Sequence, residues 1–260
     1  MDETSAAPPA ATHLKLSPIA PLLLLAWLGL AWALEALPAP PGLVTFAFVA
    51  LGWVLAVMVH EFGHAVVGFL AGDHTVAEKG YLTLDPRRYA DLGTTLVIPL
   101  IALAVGGIGF PGGAVYLRND LMRGRGWRAA ASLAGPLGTL LVLMGLAGVL
   151  AFWAPSPGQG QALASALAVL AFLQATALIL NLLPVPGLDG YGALRPFMSA
   201  SWARAARPIE GLAMIGLLMA LLLVPGASGL LIGAAFDLMQ ALGVPPGPIV
   251  DGWRAFHFWG

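Results

Sequence analysis

Seven long apolar stretches, at 18–37, 43–71, 94–117, 129–153, 161–183, 209–224 and 228–243, fill most of this chain and leave little polar sequence between them. Crossing a bilayer takes about 20 apolar residues. In lipid every backbone N–H and C=O must find its partner within the protein, so runs of this kind become helices. The fold class is therefore all-α, a polytopic membrane helix bundle. Composition agrees: hydrophobic residues make up 59% of the 260 and charged residues only 10%, against roughly 25% charged in a soluble domain. With 26.8 kDa, one bundle of about six spans uses nearly the whole chain.

The stretch at 94–117 differs from the rest. It starts as a helix-like run from Leu96 to Val105 and continues as Gly106-Gly107-Ile108-Gly109-Phe110-Pro111-Gly112-Gly113. So many glycines and a proline do not hold a regular helix, and irregular backbone at membrane depth must be surrounded by protein or line a cavity. A Gly-rich re-entrant element follows, returning to the side it came from. On that reading six spans remain and all 12 basic residues fall on one side, which the positive-inside rule makes cytoplasmic, with both termini there. Arg118, Arg123, Arg125 and Arg128 then set topology and meet anionic headgroups; they are not a nucleic-acid interface. Residues 1–17 read as a polar cytoplasmic tail, 18–243 as a single membrane-embedded domain and 244–260 as a C-terminal tail. The run after residue 17 is long for a signal-peptide core and reads as a retained signal-anchor.

Within the second stretch lies His60-Glu61-Phe62-Gly63-His64. Two His four residues apart share one helix face, so both rings can reach one metal ion while Glu61 projects beside them. That arrangement suits hydrolysis, with Glu61 as the base that takes a proton from the attacking water. The bland alternative is a pair of hydrogen-bonded His in a bundle, but ionisable groups at bilayer depth are costly and mark function by default. The chain has no Cys, so further ligands must be His or carboxylate. The intramembrane carboxylates left are Glu35, Asp189 and Asp237. Asp189 follows Asn181-Leu182-Leu183-Pro184-Val185-Pro186-Gly187-Leu188, where two prolines break the helix, although an Asp in such a place is ordinarily a turn former.

These residues together resemble the site-2 protease family of intramembrane zinc metalloproteases. The resemblance rests on His60-Glu61-x-x-His64, Asn181-x-x-Pro184-x-x-x-x-Asp189-Gly190, Ala134-Gly135-Pro136 and the Gly-rich stretch, in that family's order over roughly 43–195. Leu82-Thr83-Leu84-Asp85-Pro86 is similar to the compact bacterial branch that lacks a PDZ domain. The resemblance implies that His60, His64 and Asp189 hold Zn2+ and that Glu61 is the catalytic base. It also implies that Asn181, Gly106 and Gly107 contact substrate, the glycines through a strand-like edge that pairs with an unwound segment. The implied activity is a zinc endopeptidase that uses zinc-activated water to cut transmembrane or membrane-proximal segments of other membrane proteins, within a bacterial inner or plasma membrane. One departure stands out: Gly138-Thr139 occupies the neighbourhood where the family commonly has Asn.

His74 lies ten residues beyond His64 and is set aside as interfacial, and His13 and His257 as tail residues. Glu35 reads as a snorkelling residue; Asp237 stays open between a buried contact and a proton path. Two other functions fit the same cluster. A transporter would use His60, Glu61, His64 and Asp189 to pass metal ions or protons, and a silent scaffold would merely bind membrane helices.

Overall fold

The computed structural model describes residues 17–37, 42–89, 115–153 and 160–259, and all regular structure among them is helical. The helices are α1 (Ile19–Ala36), α2 (Gly42–Ala71), α3 (Thr75–Glu78), α4 (Arg125–Phe152), α5 (Gln161–Asn181), α6 (Asp189–Leu194), α7 (Ala200–Leu223), α8 (Ala227–Ala241) and α9 (Pro246–Phe256). Gly106 and Gly107, with nearly all of the Gly-rich stretch assigned to a re-entrant element, lie outside the described residues.

Four helices, α1, α2, α4 and α5, are long and apolar enough to cross a membrane. Their burial orders them. In its most apolar window α5 is 83% buried, whereas α1 is only 6% buried, so α5 is the hub and α1 an outer stave whose Leu22, Leu25 and Trp32 are exposed. At 1.5 Å per residue the 30 residues of α2 run about 45 Å, longer than the roughly 30 Å hydrocarbon layer.

The last two apolar stretches behave as a unit. Residues 212–223 of α7 and helix α8 meet at 89° and pass the length test together as one broken span. Met214 of α7 packs beside Gly187, and Leu217 and Leu221 pack with Leu180 and Leu183, all near the end of α5. Helix α8 leaves that end, with Leu231 beside Leu180 and the Phe236 ring tilted against Phe172 at 4.7 Å, and runs back along α5. The structure thus joins these two stretches through a sharp bend, with α7 reaching the end where α5 stops and α8 lying along α5.

The Ser17 N–H donates to the Thr83 carbonyl at 2.8 Å and its hydroxyl to Asp85 Oδ2 at 3.2 Å. Thr83 and Asp85 belong to the 72–89 segment, which folds back against Met58, Phe62 and Phe69 in the second half of α2. Helix α9 sits at the other end. A Cβ on Gly42 would lie 2.9 Å from the Ala255 carbonyl, and one on Gly252 would lie 2.8 Å from Val169. Pro246–Phe256 is therefore a helix seated on the starts of α2 and α5, and the His257 ring lies tilted against Trp253 at 4.3 Å. Ser17 thus lies by the segment that follows α2, and α9 by the start of α2, at opposite ends of that helix.

Candidate metal centre

The centre forms where α2 crosses α4, and small residues make the crossing possible. A Cβ on Gly63 would collide with the Ala134 carbonyl, and one on Gly138 would stand 3.0 Å from the Val59 carbonyl. Small side chains let membrane helices approach backbone to backbone. Gly135 is the most constrained: a Cβ there would lie 2.6 Å from His60 Nε2 and would overlap the His64 ring. Ala134-Gly135-Pro136 is thus the wall against which both imidazoles rest.

His60 and His64 bring their Nε2 atoms to 3.1 Å from each other. Asp189, the first residue of α6, reaches both, with Oδ2 3.2 Å from His60 Nε2 and Oδ1 3.2 Å from His64 Nε2. The Asn181–Gly190 break delivers it. Gly187 takes a left-handed φ of +99°, which glycine adopts without steric cost. The chain then folds back so tightly that a Cβ on Gly190 would stand 2.6 Å from the Leu183 carbonyl oxygen.

The second nitrogen of each ring is engaged. His64 Nδ1 lies 2.7 Å from the Ala131 carbonyl, and His60 Nδ1 lies 2.8 Å from Thr139 Oγ1. A carbonyl only accepts, so His64 Nδ1 carries hydrogen, and in the neutral ring Nε2 is a lone pair. That lone pair faces a carboxylate oxygen and another imidazole nitrogen, a repulsive arrangement unless a cation sits among them. Donor atoms around a tetrahedral zinc, with bonds of about 2.0–2.1 Å, stand roughly 3.3 Å apart. The two Nε2 atoms stand 3.1 Å apart and each lies 3.2 Å from a different Asp189 oxygen, close to that spacing, and two imidazoles with one carboxylate form a zinc-compatible set. His60, His64 and Asp189 can hold a metal ion.

Glu61 is 1% exposed, and its Oε2 accepts the Val115 N–H at 2.9 Å. Asn181 is buried as the last residue of α5, next to the turn that carries Asp189. Glu35 and Asp237 are exposed and His74 is exposed against Phe69; none joins the cluster. An apolar groove of about 480 Å³ adjoins the wall, lined by Val67, Ala134, Leu137, Leu178 and Leu182 among others.

Thr139, Ala131 and Val115 were not singled out as site residues from sequence. Thr139 had one signal, its place where the family commonly has Asn; Ala131 and Val115 act through backbone atoms, which leave no side-chain signature.

An apolar helix bundle holding an H-E-x-x-H pair and a distant Asp around one point defines a membrane protein of the metallohydrolase type. Comparison with known proteins narrows this. Two mycobacterial proteins named as the zinc metalloprotease Rip2 are similar over 215 residues, covering 82% of this chain and 81% of theirs: 40% identical in Mycolicibacterium smegmatis and 42% in Mycobacterium tuberculosis H37Rv. A Bacillus subtilis protein named as the zinc metalloprotease YwhC is 30% identical over 162 residues, covering 58% of this chain and 68% of its own. No family model and no solved structure matches. The chain belongs to the site-2 protease family of membrane zinc metalloproteases.

Proposed function

We propose that this protein is an intramembrane zinc endopeptidase that cuts transmembrane or membrane-proximal segments of other membrane proteins. The observation that carries the reading is the convergence of three electron-pair donors from α2 and α6, with the buried Glu61 carboxylate beside them. His60, His64 and Asp189 would hold zinc, which supplies a Lewis acid that acidifies water and polarises the scissile carbonyl. Glu61 takes the proton of the attacking water and returns it to the leaving amine as the C–N bond breaks. Thr139 and the Ala131 carbonyl orient the two rings, as outer partners of metal-binding His generally do.

Substrate handling draws on more of the chain. A helical peptide bond is shielded by its own hydrogen bonds, so the substrate must be extended before it is cut. Asn181 would contact that extended segment, and Gly106 and Gly107 would offer an edge for pairing with it. The Ser17 end of the bundle faces the cytoplasm of a bacterial cell. Lys79, Arg87, Arg88, Arg118, Arg123, Arg125, Arg128 and Arg195 gather toward it and Arg254 lies on α9 at the other, in keeping with the positive-inside rule.

The experiment is cleavage of a panel of single-span membrane proteins by the purified protein in liposomes, before and after a chelator and again after zinc is restored. Cleavage lost with the chelator and regained with zinc is expected. Uptake of zinc across the liposome without cleavage would favour a transporter instead.

A further inference from the structure

Asp73 lies just past the end of α2 and is fully buried. A carboxylate out of water is expensive unless several donors meet it. Here Oδ1 accepts the Thr75 N–H at 3.1 Å and the Thr75 hydroxyl at 2.6 Å, and Oδ2 accepts the Arg118 N–H at 2.6 Å. The Thr75 bonds are local and would form in any tight turn after a helix. The bond to Arg118 crosses 45 positions of sequence and ties a different segment to the corner.

That segment is 115–118, and its other end reaches the centre. Three residues before Arg118, the Val115 N–H donates to Glu61 Oε2 at 2.9 Å. Between them the Tyr116 carbonyl accepts from Lys79 Nζ at 3.2 Å, and Leu117 packs on Gly68, where a Cβ would lie 2.8 Å from it. The chain then continues along the same corner, the Arg123 N–H donating to the Ala71 carbonyl at 3.0 Å. Two buried carboxylates of one helix and its end therefore hold the two ends of one short run. A shift of that run at Asp73 must move the N–H that orients Glu61.

We propose that Asp73 is a positioning residue for the reaction: by fixing Arg118 it sets the register of 115–118, and so places the Val115 N–H that orients the Glu61 carboxylate. The inference rests on Glu61 being the base. Asp73 lies outside the His60, His64 and Asp189 cluster; it acts through four residues of backbone.

Three variants of the full chain in liposomes test this. Asp73→Ala lowers kcat about tenfold to a hundredfold, part of the 10²–10⁴ a positioned base contributes, with KM within about threefold and zinc content unchanged. Asp73→Asn, which keeps an acceptor oxygen of the same shape, recovers part of that loss. Thr75→Val, which removes the hydroxyl bond and leaves the Arg118 bond, keeps kcat within about twofold of the parent. Amide hydrogen exchange supplies an arm independent of proteolysis: Val115 and Arg118 both exchange faster in Asp73→Ala, while Arg118 keeps its protection in Glu61→Gln. Wild-type kcat in Asp73→Ala overturns the proposal, as does a fall in kcat with Val115 exchange unchanged. Loss of zinc together with kcat overturns it too, since Asp73 would then act on the fold. If the parent cleaves nothing, the reading of Glu61 fails, and the exchange arm still decides whether Asp73 governs Val115.

Discussion

The two ends of this bundle are built on different rules. Around α9, Phe48 and Val49 of α2, Leu167 and Leu170 of α5, Met239 of α8 and Phe256 of α9 interlock as large side chains, nearly all without exposure. Around the metal centre, α2 and α4 meet through Gly63, Gly135 and Gly138 with carbonyls and imidazoles in the contact. The first region gains from dispersion and close packing. The second packs through small residues, so that backbone and ring atoms come within hydrogen-bond reach. The contrast separates a seam that serves packing alone from one that both packs and arms the bundle, so damage to the first should spare the metal centre.

The largest break belongs to the wall. Gly135→Val drives a branched side chain into both imidazoles, and zinc affinity should fall by about 100-fold or more, with about 1–3 kcal/mol of stability lost to overpacking in a mixed-micelle unfolding assay. Phe48→Ala should act on stability alone. It costs about 3–5 kcal/mol of stability in the same unfolding assay and leaves zinc affinity within about twofold of the parent. Thr139→Val sharpens the boundary, because it deletes only the partner of His60 Nδ1. Zinc binding should weaken about 10- to 100-fold, read by competition with a chelating dye, and Thr139→Asn should restore most of it.

The smallest effect lies at the surface of the Ser17 end. The Arg87 guanidinium holds the Asp85 carboxyl at about 2, below its ordinary 3.8, with Arg87 N–H and the Ser17 hydroxyl assisting against the cost of burial. A carboxyl depressed in the folded state stabilises it fully above 3.8 and loses that contribution as pH falls toward about 2. Because Arg87 is largely exposed, solvent screening keeps the effect near 1 kcal/mol. An acid titration of stability should show this limb in the parent and lack it in Asp85→Asn.

Sequence made the first-order architecture plain and missed its turns. The apolar runs that became α1, α2, α4 and α5 were visible because each is long enough to leave lipid no alternative. The stretches that became α7 and α8 were visible too, but the bend between them was not, since two short apolar runs carry no mark of an 89° angle. Helix α9 was hidden by Pro245-Pro246-Gly247-Pro248, which looks like a breaker, although proline sits well in a first helical turn. In the centre, His60, Glu61 and His64 followed from spacing alone, whereas Asp189 needed a family resemblance, because a break between α5 and α6 decides where it points. Gly135 was conspicuous only as part of a motif; its role is the room it leaves for two rings, which no spacing rule encodes.

The central claim is that the cluster of His60, His64 and Asp189 holds zinc for a hydrolysis in which Glu61 is the base. Its most direct test compares zinc content and cleavage of a single-span substrate for the parent and Glu61→Gln. The account predicts about one zinc in each protein and cleavage by the parent alone. Cleavage by Glu61→Gln at the parent's rate, or no zinc in either protein, would contradict it.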